Sequence, residues 1–161
     1  MLWLVPTLMA VHNTEEAIFF PRYLPLVLER LPEAWRSVVG PITLGQVWAA
    51  LLAVTLIPVV LATWATLRPK HAAPVWLLLL MQATLLLNVL WHLSAAIVLF
   101  DGYAPGLATA VLLNLPFSVY LIRRAVKQTW VSQRARWALL PSAFVVHGPA
   151  LSGLLLLMQR L

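Results

Sequence analysis

The sequence predicts an all-α integral membrane protein: a helical bundle of about five transmembrane helices, with one interfacial amphipathic segment after the first. Three observations carry this. Of 161 residues, 62% are hydrophobic and only 10% are charged, whereas a soluble domain carries about 25% charged residues. The mean hydropathy is +0.89. Apolar stretches also recur near the roughly 20 residues that a helix needs to cross a bilayer. No linker rich in Gly, Ser or Pro divides the chain, and no useful repeat appears. Residues 1–161 therefore read as a single transmembrane helical domain.

The elements follow in order. Span one covers about 2–20. It has no basic leader and no small-residue cleavage site, so it reads as a retained span rather than a signal peptide. Residues 21–40 mix Arg22, Glu29, Arg30, Glu33 and Arg36 with Tyr23, Leu24, Leu26, Leu28 and Trp35. That mixture predicts a segment lying in the interface, broken by Pro25 and Pro32. Span two covers about 42–67, with Pro58 as a kink, and Arg68-Pro69-Lys70-His71 turns the chain. Span three covers about 74–100. The turn Asp101-Gly102-Tyr103-Ala104-Pro105-Gly106 follows, punctuated by Pro and Gly. Span four covers about 107–122 and span five about 137–158.

Charge sets the expected orientation. The loops after spans two and four hold Arg68, Lys70, Arg123, Arg124, Lys127, Arg134 and Arg136, with no acid. The opposite side mixes Arg22, Arg30, Arg36 and Arg160 with Glu29, Glu33 and Asp101. The positive-inside rule then puts the N-terminus inside and the C-terminus outside, in a bacterial inner membrane. Trp35, Trp130 and Trp137 fall near the expected interfaces. The net charge of +6 is accounted for by these flanks and by anionic lipid, so no nucleic-acid partner is implied. There is no Cys, which excludes disulfides and thiolate metal sites.

One feature is at odds with the apolar background. His12-Asn13-Thr14-Glu15-Glu16 interrupts span one. Ionisable groups in a span cost about 2.5–3.5 kcal/mol at its centre and mark functional sites by default. Helical spacing brings His12, Glu15 and Glu16 onto one narrow arc. Topology puts Asn88 and His92, four apart on span three, at a similar depth, with His147 of span five and Asn114 of span four. In inverse zincin helices, H-x-x-E-H, the outer residues bind zinc and the inner Glu acts as base. By that pattern His12 and Glu16 are expected metal ligands, with His92 and His147 completing the set. Glu15, Asn88 and Asn114 are the expected catalytic groups. Glu15 would activate water, and the two amides would stabilise an oxyanion or orient a His. The expected metal is zinc, with iron second. The bland alternative is a buried ion and hydrogen-bond network that holds spans together. His71 is expected to be solvated, and Gln82 to be interhelical glue.

The pentad followed by Pro21-Arg22-Tyr23 resembles the signature of the HXXEE family of small membrane proteins. Asn88-Val89-Leu90-Trp91-His92 and Gly102 to Ala110, with its Tyr-x-Pro-Gly turn, are similar to that family's second block. The resemblance runs from His12 to about Pro116. It implies that His12, Glu15, Glu16, Asn88 and His92 belong together, and it implies no reaction. Glu15-Glu16, Arg22, His92 and His147 also echo intramembrane glutamate proteases, with a longer Glu-to-Arg spacing.

The resulting expectation is a membrane-embedded, metal-dependent hydrolase acting on a lipid-like or membrane-delivered substrate. The alternatives are a metal-free Glu/His acid–base enzyme, of the glutamate-protease or lipid-isomerase kind, a proton or metal transporter, and a purely structural membrane protein.

Overall fold

The computed structural model describes residues 1–30, 33 and 42–158, apart from the side chains of Leu155 and Met158. The rest of the expected interfacial segment, with Pro32, Trp35 and Arg36, lies outside the described residues, as does Arg160. Among the described residues the chain is all helical, with five helical rods. They are α1 (Leu4–Arg30), α2 (Leu44–Leu67), α3 (Ala72–Val98), α4 (Leu107–Lys127) and α5, which runs as Gln133–Val145, Val146–Ala150 and Leu151–Met158.

Four of these, α2 to α5, are long and apolar enough to cross a membrane. The first helix is not among them, because the polar pentad dilutes its apolar content. α3 is the central rod. Some 44% of its most apolar window is buried, against 22%, 28% and 11% for α2, α4 and α5. The apolar core gathers at one end of the bundle, where Val5, Leu61, Leu78, Leu79, Leu121 and Ala143 pack together. These residues come from the start of α1, α3 and α5 and the end of α2 and α4. The polar positions of the sequence occupy the other half.

Local sequence sets the helix ends. Thr43 caps α2 with a reciprocal capping box: its hydroxyl accepts from the Gln46 N–H at 3.3 Å, and its own N–H donates to Gln46 Oε1 at 2.8 Å. Ser132 caps α5 by accepting from Ala135 N. α3 ends where Gly102 N–H reaches back to Ala96 O at 2.8 Å, with Asp101 at φ +53° and Gly102 at φ +133°. Arg30 donates to Leu99 O at that end and lies 3.6 Å from Asp101.

α1 departs from the expected break. It continues as one helix through Pro21 and Pro25 to Arg30. Proline removes the N–H that would bond the carbonyl four residues back. At Pro21 that orphan is Ala17 O, and Trp48 Nε1–H of α2 donates to it at 3.2 Å. Aromatic packing supports the second half of α1: Phe19 meets Tyr103 at 5.5 Å, and Tyr23 meets Phe100 at 5.0 Å.

Two π turns, Ala110–Asn114 and Val146–Ala150, interrupt α4 and α5. Each has a proline within or just after it, Pro116 and Pro149. A missing proline N–H leaves a carbonyl that the next N–H can reach in an i→i+5 bond. The π turns present Asn114 and His147, both singled out from the sequence.

The Trp48–Ala17 bond gives a test. Trp48→Phe is expected to cost about 1 kcal/mol, measured by thermal unfolding in detergent. In a Pro21→Ala background the restored helix N–H makes most of that cost disappear. Equal costs in the two backgrounds would show that Trp48 does not serve the orphan carbonyl.

Candidate functional site

His12, one turn before Glu16 on α1, is 1% exposed. Its two ring nitrogens are held from two other helices. Nδ1 lies 2.8 Å from Thr109 Oγ1 of α4, and Nε2 lies 3.0 Å from Asn88 Nδ2 of α3. The same Nδ2 lies 2.9 Å from His92 Nε2. Thr109 Oγ1 donates onward to Gly106 O at 3.3 Å, so its oxygen accepts from His12 Nδ1–H. With the Asn88 amide oriented this way it donates one hydrogen to each imidazole Nε2, an assignment made from the hydrogen-bond network. The Nε2 atoms of His12 and His92 thus lie side by side, each engaged by Asn88, at the edge of one shared space. The two rings meet edge to face at 5.0 Å.

Glu16 completes that space. Its Oε1 lies 3.3 Å from His92 Nε2 and 3.9 Å from His12 Nε2. The ligand atoms of His12, Glu16 and His92 all lie within 4.8 Å of one another. Three acceptors converging in a buried place repel one another unless a cation or shared hydrogens lie between them. Two imidazole nitrogens and one carboxylate oxygen suit a divalent transition metal. The hydrogen bond from His12 Nδ1 to Thr109 is the kind of outer contact that orients a ligating imidazole.

Gly106 forms one wall. It opens α4 at φ +81°, and a Cβ there would sit 2.8 Å from Glu16 Cγ, His12 Cε1 and His92 Cε1 at once. Only glycine combines that left-handed backbone with so close an approach. The Tyr-x-Pro-Gly turn thereby seats the start of α4 against the three side chains.

Other expected site residues fall as follows. His147 Nε2–H donates to Asn88 Oδ1 at 3.1 Å, so it joins the cluster through Asn88. Glu15 faces away from the three converging atoms. Its Oε1 accepts from the Tyr103 hydroxyl and from Ala108 N at 3.1 Å, and its Oε2 accepts from Thr109 N at 2.8 Å. The carboxylate thus caps the start of α4, where helix N–H groups lack internal partners. Asn114 is 1% exposed, and among the described residues neither of its amide atoms has a hydrogen-bond partner. Gln82 donates to Ser118 Oγ at 2.6 Å, joining α3 to α4 as interhelical glue would. Arg22 forms no ion pair among the described residues.

Sequence reasoning passed over Thr109, Gly106, Tyr103 and Asn13. Asn13 Nδ2 donates to Thr55 Oγ1 at 2.7 Å and to Leu51 O at 3.2 Å, tying the pentad to α2. The glycine and tyrosine carried a signal in the Tyr-x-Pro-Gly turn; Thr109 carried none beyond its place on α4.

A family model described as "Protein of unknown function with HXXEE motif" matches residues 3–121, and the chain belongs to that HXXEE family. It is also similar to "Uncharacterized protein YrkK" of Bacillus subtilis (strain 168), at 25% identity over 112 residues. That match covers 70% of this chain and 66%, just under two thirds, of the relative's length. No solved structure matches the chain.

Tyr103, in the turn between α3 and α4, carries a pH signature. Burial first, and then its bond to the Glu15 carboxylate, push its phenol from 10 up to about 12. The neutral phenol is the form that donates, so its contribution to stability is complete below pH 10. It is lost as pH rises from 10 towards 12. Alkaline unfolding of wild type against Tyr103→Phe should converge over that window. Curves that stay parallel to pH 12 would contradict the Tyr103–Glu15 contact.

Proposed function

We propose that this chain is an integral membrane enzyme with a divalent metal held by His12, His92 and Glu16, hydrolysing a lipid-like or membrane-delivered substrate. The observation that carries the reading is the convergence of two imidazole Nε2 atoms and one carboxylate oxygen within 4.8 Å, buried in a bundle with four helices apolar enough to span a bilayer. Zinc suits this donor set with a position left open, and iron(II) uses the same donors. When bound, the metal would act as a Lewis acid and make a bound water acidic near pH 7.

The chain's own groups divide the remaining work. Thr109 keeps His12 with its Nε2 lone pair turned inward. Asn88 keeps His92 and His147 in register, its amide reaching both. Glu15 is engaged by three donors, and His147 hands its Nε2–H to Asn88, which holds the amide in place. Glu15 becomes the positioning residue that fixes the start of α4, and with it Gly106 and Thr109. Asn114 follows Thr109 on α4 through the π turn Ala110–Asn114. Its unpartnered amide is available to a polar group of the substrate.

The basic loops after α2 and α4 support an N-terminus inside and a C-terminus outside, in a bacterial inner membrane. A specific observation also favours a second reading. Asn88 Nδ2 already donates to both imidazoles, so the cluster is satisfied as a metal-free network, open to Glu/His acid–base chemistry.

Elemental analysis of purified protein separates the two readings. Near-stoichiometric zinc or iron is expected in wild type and is lost in His12→Ala and Glu16→Gln. Thr109→Val should keep the helical fold and weaken metal affinity by about 10–100-fold, the usual effect of removing a ligand's outer partner. Gly106→Ala should lose the metal outright. Metal-free wild type purified without chelators would sink the metal reading. Metal equally retained by His12→Ala would move the site elsewhere.

A further inference from the structure

α4 carries a second feature along its outward face, from Val111 near the cluster to Gln128 at the far end. That face forms a shallow, open groove of about 1190 Å³. The apolar floor is made by residues such as Val111, Leu112, Leu115 and Val119, and the basic end by Arg123, Arg124 and Lys127. The spacing is that of two adjacent helical stripes, with residues four apart in register.

The basic end is organised rather than a loose run of charge. Arg124 Nη1 donates to the Tyr120 hydroxyl at 2.5 Å, and its Nε donates to Gln128 Oε1 at 3.3 Å. Gln128 Oε1 is itself held by Trp130 Nε1–H at 3.0 Å. The guanidinium carbon lies 5.9 Å from the Tyr120 ring centre. A chain of Trp130, Gln128 and Tyr120 thus fixes one cation, and Arg123 and Lys127 stand exposed beside it. Among the described residues no carboxylate is paired with these three cations. The chain's five acids, Glu15, Glu16, Glu29, Glu33 and Asp101, fall in α1, just after it, or in the turn before α4.

We propose that this groove is a binding site for an anionic phospholipid. Its phosphate is held by Arg123, Arg124 and Lys127, and an acyl chain lies along Val111 to Val119. Complementarity commits the site to this occupant. Three cations with no counter-charge call for a phosphate, and the contiguous apolar stripe below them calls for a tail of the same molecule. Tyr120 and Trp130 belong at the boundary between the two, where amphipathic rings sit. The proposal rests on reading α4 as a membrane span. It does not depend on the metal or on the reaction at the His/Glu cluster.

The test uses the full chain, first shown to sediment with membranes after carbonate washing, so that failure of the membrane reading is recognised separately. Native mass spectrometry in detergent then compares retained phosphatidylglycerol with phosphatidylcholine of the same acyl chains. Wild type is expected to prefer phosphatidylglycerol by about tenfold or more, as three juxtaposed cations warrant. R123Q/R124Q/K127Q should lose the preference. R68Q/K70Q/R134Q removes equal charge from the same end of the bundle and should keep it. Tyr120→Phe, which only loosens Arg124, should fall between and guards against misfolding of the triple variant. No preference in wild type, or equal losses in both triple variants, would overturn the site in favour of diffuse attraction. Abolition of the preference by millimolar inorganic phosphate would show an anion site without a tail and would also overturn it.

Discussion

The His12–Glu16 segment has to satisfy its polar groups inside an apolar bundle, and the arrangement of the helices follows from where it finds them. His12 reaches Asn88 on α3 and Thr109 on α4. Asn13 reaches Leu51 and Thr55 on α2. Thr14 bonds back to Ala10 O within its own helix. Glu15 takes the start of α4, and Glu16 faces His92. Four of these five residues thus tie α1 to three neighbours. Without these partners each buried polar group would cost about 1–3 kcal/mol, so the segment is a strong constraint on helix register.

That constraint divides the bundle. One end is an aliphatic core of ordinary packing, from Val5 to Ala143. The other trades apolar contacts for a connected polar network, and there the backbone is also least regular: Gly106 at a left-handed angle and π turns at Asn114 and His147. Irregular backbone next to a polar network is where strain is usually kept for a purpose. The network is satisfied in one sense only. Its two imidazole Nε2 atoms share a single amide, and a carboxylate oxygen lies 3.9 Å from one and 3.3 Å from the other.

Much of this was legible in the sequence, and the reasons are specific. The i, i+4 spacing of His12 and Glu16, and of Asn88 and His92, put each pair on one face. Hydropathy and topology set their common depth. Depth does not give rotation about a helix axis, so the sequence could not separate Glu15 from Glu16. Glu15 turned out to cap α4, while Glu16 faces the histidines. Asn114 is buried on α4, and its amide meets no partner among the described residues. The continuation of α1 through Pro21 was hidden because its remedy, the Trp48 indole, comes from 31 residues along the chain. Gly106 was readable as a turn glycine, but the three side chains it accommodates come from α1 and α3 and only meet on folding.

The most direct measurement is X-ray absorption at the edge of the metal found in the purified protein. The account predicts two imidazole nitrogens and one carboxylate oxygen, at about 2.0–2.2 Å for zinc, with one imidazole missing in His92→Ala. A shell of light oxygen scatterers without imidazole, unchanged in His92→Ala, would contradict it.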